Sequence, residues 1–306
     1  PRSRRLKIEG EDGAGVYPSI QFLKAWNLRG KNLARGKVGV IGGGNSAVDA
    51  ARVARRQEGV ESVTILYRRT RDEMPAYDEE IHAALHEGIR LEVLVTPVSI
   101  DAESGKITSG SFIRNSLGEL DVSGRRRPVP IRGTEFTVEL DTLIVAIGEQ
   151  MQVYELTGSS GVKIHKWGGV DVDGATLATA REGVFAGGDV VTGPNTVIDA
   201  IAAGKRAAVM MDRHIRGEEL VQPAPARVPR TYIPPVSAPS EEVEAARRAD
   251  SPLVPAHARQ GSFVEVERCL AESDAAGEAR RCLRCDLDFT QPKEEEVPLP
   301  ATGGKA

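Results

Sequence analysis

The residues with the clearest chemical pattern lie between positions 38 and 69, in VGVIGGGNSAVDAARVARRQEGVESVTILYRR. Gly42, Gly43 and Gly44 follow an apolar run, Val38 to Ile41, and open a helical stretch from about Asn45. A second apolar run, Val63 to Tyr67, ends on Arg68 and Arg69. A strand, a glycine turn, a helix and a strand in this order form a dinucleotide-binding unit. Gly42 lets the chain turn tightly, Gly44 lets the backbone approach a pyrophosphate, and Ala47 lets the helix pack close to the strand. The N–H groups of the first helical turn then face the anionic ligand. A glycine string alone is weak evidence; here the flanking strand, helix and second strand supply the context against a merely structural turn.

A second dense motif, GVFAGGDVVTGPNTVIDAIAAGKRAAVMMDRHI, spans 183–215. Val184 to Ala186 reads as a short strand ending in Gly187, Gly188 and Asp189, followed by a loop with Pro194 and a helix from about Asn195 or Thr196 to about Ile215. At the end of a strand, Asp189 can accept hydrogen bonds from sugar-alcohol hydroxyls, and the helix start at Asn195 to Val197 can stabilise partial negative charge on a ring carbonyl. A turn aspartate that only caps its own loop is the competing reading, and the motif alone leaves both open. Cys282 and Cys285 form a CxxC, with Cys269 thirteen residues before Cys282. They can be a redox dithiol, part of a metal or cluster site, or ordinary thiols. A cubane cluster normally takes four cysteines, so a self-contained site would need another ligand such as Asp286, or a partner. His82 and His86 lie four apart on a helix, but HAALH lacks the carboxylate of an HExxH zinc motif, and an ordinary helical face is the better reading. Glu79, Glu80 and Glu149 are possible cleft carboxylates, the first two better read as solvated surface.

The elements that must position these groups follow from periodicity and turn chemistry. Residues 1–18 read as an irregular connection and 19–30 as a short helix with Ile20, Leu23 and Trp26 or Asn27 on its apolar face and Gly30 as its stop. Pro75 marks the start of a further helix with acidic residues in its first turn and Gly88 after its end. Ile89 to Val95 reads as a strand. Residues 98–140 alternate as a small antiparallel ribbon with Arg125, Arg126 and Arg127 in a solvated loop. Leu143 to Ile147 reads as the final parallel strand, ending on Gly148. Prolines dominate from Val221 to Pro255, with one short helix, Glu241 to Ala249, capped by Ser240. A charged tail follows Pro292 and reads as disordered.

Composition narrows the class. With 306 residues, 40% hydrophobic content and 32 glycines, the chain suits a two-domain α/β protein. A formal net charge of −4 gives no reason to invoke nucleic acid or an anionic membrane. No apolar run is long enough for a membrane span and no signal peptide is evident. Three cysteines, all after residue 268, do not make a secreted disulfide framework, so a cytoplasmic setting is expected. The opening PRSRRLKIEGED reads as the middle of a longer sequence, a fragment or a processed piece.

The order GED…GV…FL, VGVIGGGNSAVDAARVA, VTILYRRTRDEMPA, DTLIVAIG, GVFAGGDVVTGPNTVIDAIAAGKRAA and EARRCLRCD resembles the glutamate synthase small-subunit family of FAD- and NAD(P)-dependent oxidoreductases. The flavin domain of dihydropyrimidine dehydrogenase is also similar. The resemblance covers roughly residues 5–288. It implies that Gly42, Gly44, Asn45 and Ser46 meet the pyrophosphate of a nicotinamide nucleotide. Arg68 and Arg69 stand where an NAD-preferring site often has a carboxylate, and two guanidiniums suit a 2′-phosphate, so NADP(H) is preferred over NAD(H). Gly188 and Asp189 would match the second flavin motif of that family, with Asp189 at the ribityl or phosphate end and Thr196 and Val197 by the pyrimidine end of the ring; Gly148 is a further cofactor-binding candidate. The first glycine fingerprint of the FAD site and the N-terminal iron–sulfur cysteines of that family are not found in the sequence. The FAD site is therefore expected to be incomplete in this chain, with the rest supplied by a precursor or another subunit.

The resulting expectation is a Rossmann-like α/β fold, with a parallel sheet plus a small antiparallel ribbon, joined to the C-terminal half of a second, FAD-type Rossmann-like domain. The expected divisions are a linker and short helix (1–34), the NAD(P)-binding domain (35–147), the FAD half-domain (148–220), a Pro-rich arm (221–262), a helical CxxC segment (263–288) and a tail (289–306). The expected function is hydride transfer between NADP(H) and FAD, with electrons passed to or from an iron–sulfur partner subunit or domain. Cys282 and Cys285 could hold a cluster shared with that partner. Hydride transfer needs stacking and excluded water, so no catalytic acid or nucleophile is named. No catalytic disulfide lies beside the nicotinamide motif, which sets the chemistry apart from that of thioredoxin reductase. The alternative is a non-catalytic assembly subunit that keeps the fold without binding FAD by itself.

Overall fold

The computed structural model describes residues 2–121, 124–150, 161–223 and 248–280. A short strand, β1 (Arg2–Ser3), leads through a glycine-rich loop to β2 (Val16–Pro18), helix α1 (Ser19–Arg29) and β3 (Gly36–Ile41). Next come α2 (Asn45–Arg55), β4 (Val60–Tyr67), a single 3-10 turn (Arg71–Glu73), α3 (Asp78–His86) and β5 (Arg90–Val93). The strands β6 (Val95–Glu103), β7 (Lys106–Leu120), β8 (Arg126–Pro130) and β9 (Phe136–Glu139) precede β10 (Thr142–Val145) and β11 (Glu149–Gln150). Later described helices are α4 (Asp189–Thr192), α5 (Val197–Arg216), α6 (Ala256–Arg259) and α7 (Glu272–Arg280).

Five strands form one parallel sheet in the order β2, β10, β3, β4, β5. Side chains alternate across it, as the pleat requires. Val38 and Val40 of β3, Val63 and Ile65 of β4 and Ile144 of β10 pack with the buried faces of α1, α2 and α3. Ile41, Leu66 and Leu143 face the other way, into a second core with Val95, Ile100, Ile107 and Phe112 of the antiparallel strands. The sheet is thus buried on both faces, which explains its near-continuous apolar strands. β6, β7 and β8 pair antiparallel, with β9 on β7.

Several elements differ from the sequence expectation. Val16–Pro18 is a strand of the main sheet, not part of an irregular connection. It is a three-residue edge strand that follows Gly13 and Gly15, too short to carry a period, and its proline is tolerated at the edge. Phe22, fully buried, anchors α1 instead of Ile20. The third helix starts at Asp78, beyond the 3-10 turn, not at Pro75. The run Ile89 to Val95 is broken at Leu94, which sits in the left-handed region at φ 58°. That conformation costs about 1 kcal/mol. It is offset by hydrogen bonds from Leu94 N–H to Arg69 O (3.1 Å) and from Asn115 N–H to Leu94 O (2.8 Å). The break lets β5 join the parallel sheet while β6 turns into the antiparallel one, which is four-stranded and more than a small ribbon. The strand at Leu143 is, as expected, the last parallel strand in chain order, and it lies inside the sheet between β2 and β3.

Residues 161–216 are less regular. Val184 to Ala186 makes one bridge, Ala178 to Phe185, instead of a strand. The helix expected from Asn195 or Thr196 is α5, with Thr196 as its N-cap accepting from Asp199 N–H at 3.1 Å. The chain divides into two units, Pro1–Gln222 with Pro255–Val264, and Pro223–Val254 with Glu265–Ala306. Within the second unit, Leu253 bridges Glu267, and Ala249 N–H donates to Glu278 Oε1 at 2.8 Å. Most of the Pro-rich arm, Cys282, Cys285 and the tail lie outside the described residues.

Candidate functional site

The carboxyl ends of β3, β4 and β10 converge on one edge of the parallel sheet. From β3 the chain order runs one way through β4 and β5, while β10 and β2 lie on the other side. That reversal is a topological switch point, where open α/β sheets bind ligands.

The glycines there have distinct roles. Gly42 has φ 145°, and a Cβ on it would sit 2.3 Å from Ala146 O. A Cβ on Gly43 would sit 2.4 Å from the Tyr67 ring. Both are therefore required by packing. Gly44 differs: its φ is −93° and an added Cβ would meet only Pro75 Cγ, at 3.8 Å. Gly44 is the N-cap of α2 and supplies no side-chain cap, and no acidic residue lies in the first turn. The N-terminal positive pole of an 11-residue helix is thus open beside a bare backbone, the geometry that accepts a pyrophosphate. Ala47, fully buried, brings α2 against the sheet. Ser46 is exposed at the first turn. Asn45 is exposed too, but its Oδ1 accepts the Tyr77 N–H at 3.0 Å, which ties the loop before α3 to the helix start. Ala76 N–H donates to Gly43 O (3.1 Å) and Tyr67 OH donates to Glu73 O (2.7 Å), so the 70–77 loop is fastened along the glycine turn.

The arginine pair at the end of β4 divides. Arg68 is exposed, with its carbonyl held by Asn115 Nδ2 at 3.0 Å. Arg69 is 2% exposed. Its Nη2 pairs with Asp121 Oδ2 at 2.5 Å and its Nε donates to Arg126 O at 2.6 Å. Arg69 therefore departs from the sequence expectation: its guanidinium is engaged inside the protein, and Arg68 is the member of the pair that can meet a ligand. The cause is the β7–β8 hairpin, whose position next to β4 no local pattern reveals. Partial desolvation, then the charges of Arg69 and Arg125, make the Arg68 cation harder to hold and lower its pKa. Burial works against the Glu73 charge, but hydrogen bonds from the Thr70 hydroxyl and Arg126 N–H hold that carboxyl below its usual range. Gly148, at φ 101°, follows β10 and its carbonyl accepts Arg4 N–H at 3.0 Å.

A second group surrounds the start of α5. Gly188 has φ 73°, and a Cβ on Gly187 would lie 2.9 Å from Ala203 Cβ, so the GGD turn needs its glycines to pack on the helix. Asp189 Oδ1 accepts Asn195 N–H at 3.2 Å, which is the loop-capping role; its side chain is also exposed. Thr196 caps α5, and Val197 is 73% exposed beside it. Val162, Val170, Val184, Phe185 and Val190 line an open apolar cavity of about 380 Å³ next to this turn. Cys269 is exposed, and among the described residues no cluster of three metal-ligating side chains occurs. Among those residues, too, no helix is long and apolar enough to cross a membrane.

The residues that sequence reasoning misses are those acting at long range. Asn115 on the Arg68 carbonyl, Asp121 on the Arg69 guanidinium and the Glu73 carbonyl on Tyr67 OH hold the end of β4 in place. Glu87, 0% exposed, is gripped by Arg52 and Arg56, and it meets the returning segment through Arg259 at 3.8 Å. Gln260 donates to Glu87 O (2.9 Å), Arg56 donates to Ser262 O (3.1 Å), and Phe263 stacks on Trp26 at 4.3 Å. Pro255–Val264, expected mostly within an extended arm, is thus packed on the nucleotide-binding domain.

The family model of the pyridine nucleotide-disulphide oxidoreductases matches residues 2–204. The beta subunit of an NADP(+)-dependent formate dehydrogenase from Moorella thermoacetica is 40% identical over 292 residues, covering 92% of this chain and 41% of that protein. The beta subunit of an NADPH-Fe(3+) oxidoreductase from Geobacter sulfurreducens is 38% identical, over 93% of this chain and 47% of its own length. The glutamate synthase [NADPH] small chain of Escherichia coli is 34% identical, over 68% and 47%. The chain thus spans about half the length, or less, of these relatives. Among solved structures, Mycobacterium tuberculosis FprA in complex with NADPH superposes with TM-score 0.55 at 18% identity, over 71% of this chain and 62% of that one. Lactococcus lactis thioredoxin reductase gives 0.56 at 21% identity, over 71% and 64%. At these identities the likeness to solved structures speaks for the fold, that of FAD- and NAD(P)-type Rossmann oxidoreductases. On its sequence, the chain belongs to the pyridine nucleotide-disulphide oxidoreductase family, on the branch that includes the glutamate synthase small chain.

Proposed function

We propose that the chain is the nicotinamide-nucleotide module of a flavoprotein oxidoreductase that transfers hydride between NADP(H) and FAD and exchanges electrons with an iron–sulfur partner. The open terminus of α2 at Gly44, with exposed Arg68 at the end of the next strand, carries this reading. The three relatives' names support NADP, and their designations as subunits or chains of larger enzymes support a partner.

In this reading the N–H groups at the start of α2 hold the pyrophosphate, and Arg68 holds the ribose 2′-phosphate. Gly42 and Gly43 shape the floor without touching the ligand. Flavin supplies the redox chemistry when bound, taking a hydride and releasing electrons singly. In this reading the Gly187–Asp189 turn and the start of α5 would line one side of a flavin site. The other side would come from a longer protein or a second chain. Exposed Val197, Ile198 and Ile201 on α5, and the apolar cavity beside the GGD turn, suit a face that such a half covers. Cys282 and Cys285 would contribute to a cluster shared with the partner. A cytoplasmic setting suits this chemistry.

Anaerobic addition of NADPH to the flavin-loaded, assembled protein tests the reading. Bleaching of the flavin absorbance is expected, with NADH much less effective. A flavin that NADPH leaves oxidised would favour a non-catalytic assembly role.

A further inference from the structure

We propose that Asn45 is a positioning residue: it fastens the Pro75–Tyr77 arm beside the start of α2, so that the Tyr77 ring closes the outer side of the pyrophosphate seat and packs on the bound nucleotide. This rests on the proposed nicotinamide-nucleotide site and deepens it. It adds a contact from the loop after β4 and makes Asn45 act through that loop instead of on the phosphates.

The arm is tied to the glycine turn along its length. Tyr67 OH, at the end of β4, donates to Glu73 O at 2.7 Å, and the Glu73 side chain closes a capping box with Thr70. Ala76 N–H donates to Gly43 O at 3.1 Å, and Tyr77 N–H donates to Asn45 Oδ1 at 3.0 Å. Between these ties, Pro75 Cγ is the atom that a Cβ added to Gly44 would meet, at 3.8 Å. Met74 and Ala76 turn inward and are 8% and 7% exposed. Pro75 thus faces the bare backbone proposed to seat the pyrophosphate, and Tyr77 follows it beside the first residue of α2.

The residue types match that placement. Tyr77 is the N-cap of α3, a position where Ser, Thr, Asp or Asn would accept a hydrogen bond from the helix, yet it makes no side-chain cap. It is 64% exposed, although the arm that carries it is held by its backbone and by buried neighbours. Asp78, Glu79 and Glu80 fill the first turn of α3, so that helix start repels phosphate, whereas the first turn of α2 carries no acid. A nucleotide seated on α2 therefore meets the α3 side through a neutral group, and Tyr77 stands at that boundary. Its ring offers an apolar face to a ribose or base edge, and its hydroxyl a polar tip. The Asn45 side-chain oxygen, engaged by the Tyr77 N–H, fixes the backbone from which that ring projects.

The test is calorimetric titration of the full chain with NADPH, for the parent, Tyr77→Ala, Tyr77→Phe, Asn45→Ala and the double variant of Asn45→Ala with Tyr77→Ala. Tyr77→Ala should weaken binding about tenfold, the size of one aromatic contact, and Tyr77→Phe should stay within about twofold of the parent. Asn45→Ala should weaken binding to a similar extent, speed hydrogen exchange at the Tyr77 amide, and add little in the Tyr77→Ala background. Tyr77 is exposed, so its substitutions should leave the melting temperature unchanged, and Tyr77→Ala decides the part of the ring even where Asn45→Ala lowers stability. If the parent binds NADPH and Tyr77→Ala stays within about twofold of it, the inference is wrong and the nucleotide reading stands. Additive losses from Asn45→Ala and Tyr77→Ala, which would mean that Asn45 acts on the nucleotide by itself, also overturn it, as does unchanged exchange of the Tyr77 amide in Asn45→Ala. If the parent does not bind NADPH, the nucleotide reading falls and the inference with it.

Discussion

Replacing Glu87 by glutamine should loosen the returning segment Pro255–Val264 from the nucleotide-binding domain. Glu87 is 0% exposed and accepts from Arg52 Nε (3.2 Å), Arg52 Nη2 (2.9 Å), Arg56 Nη1 (2.7 Å) and Arg56 Nη2 (2.8 Å). Arg259 Nη1 lies 3.8 Å from the same carboxylate. Glutamine keeps the shape but removes the charge and turns one acceptor into a donor that faces a guanidinium. Arg52 retains Glu80 at 2.6 Å, whereas Arg56 loses the carboxylate it pairs with. Breaking a buried ion pair by removing one partner costs about 3–5 kcal/mol. For a unit of this size that is a fall in Tm of about 10 °C. Burial opposes the Glu87 charge, but the hydrogen bonds and charges of Arg56 and Arg52 prevail and hold its carboxyl below the ordinary range. A depressed carboxylate contributes stability that is complete above its unfolded pKa, roughly 4.3, and lost as pH falls through the folded value. Parent and variant should therefore differ most near neutral pH and converge in acid. Thermal melts at several pH values, with hydrogen exchange on 255–264, measure both effects. A Glu87→Gln protein within about 1 kcal/mol of the parent, or with unchanged protection of that segment, would refute the reasoning.

Three other substitutions have defined outcomes. Gly42→Ala places a Cβ 2.3 Å from Ala146 O at φ 145°, and should cost about 3 kcal/mol or more in a denaturant titration. Tyr67→Phe removes the 2.7 Å hydrogen bond to Glu73 O but keeps the ring against Gly43; a loss of about 1 kcal/mol is expected from the same titration. Ile198→Ser, at a position 74% exposed, should change the stability of the isolated chain by less than about 0.5 kcal/mol in the same titration, and, if the proposed flavin-completing half covers this face, weaken its capture by the chain in a pull-down.

What the sequence makes legible is what is local. The β3–glycine turn–α2–β4 unit can be read because its apolar runs, glycines and helix lie within about thirty residues, and α5 because Thr196 caps a long periodic stretch. The three residues of β2 are too short for a period, and the break at Leu94 depends on backbone partners at Arg69 and Asn115. The division of Arg68 from Arg69 depends on Asp121, fifty-two positions away, and the contact of Glu87 with the returning segment depends on Arg259. Neither dependence leaves a mark in composition or spacing. Asp189, ambiguous in sequence, is seen capping its own loop, which is compatible with either of its readings.

The account rests most directly on the open face of Gly44. Gly44→Asp is a favourable N-cap substitution at φ −93°, ψ 174°, so α2 should be at least as stable as in the parent. The new carboxylate would nevertheless occupy the space of the pyrophosphate with the wrong charge. Calorimetric titration of the chain with NADPH, beside a thermal melt, should show binding by the parent and at least a hundredfold loss in a Gly44→Asp variant whose melting temperature is unchanged or higher. NADPH affinity that survives Gly44→Asp in a folded protein would contradict the account.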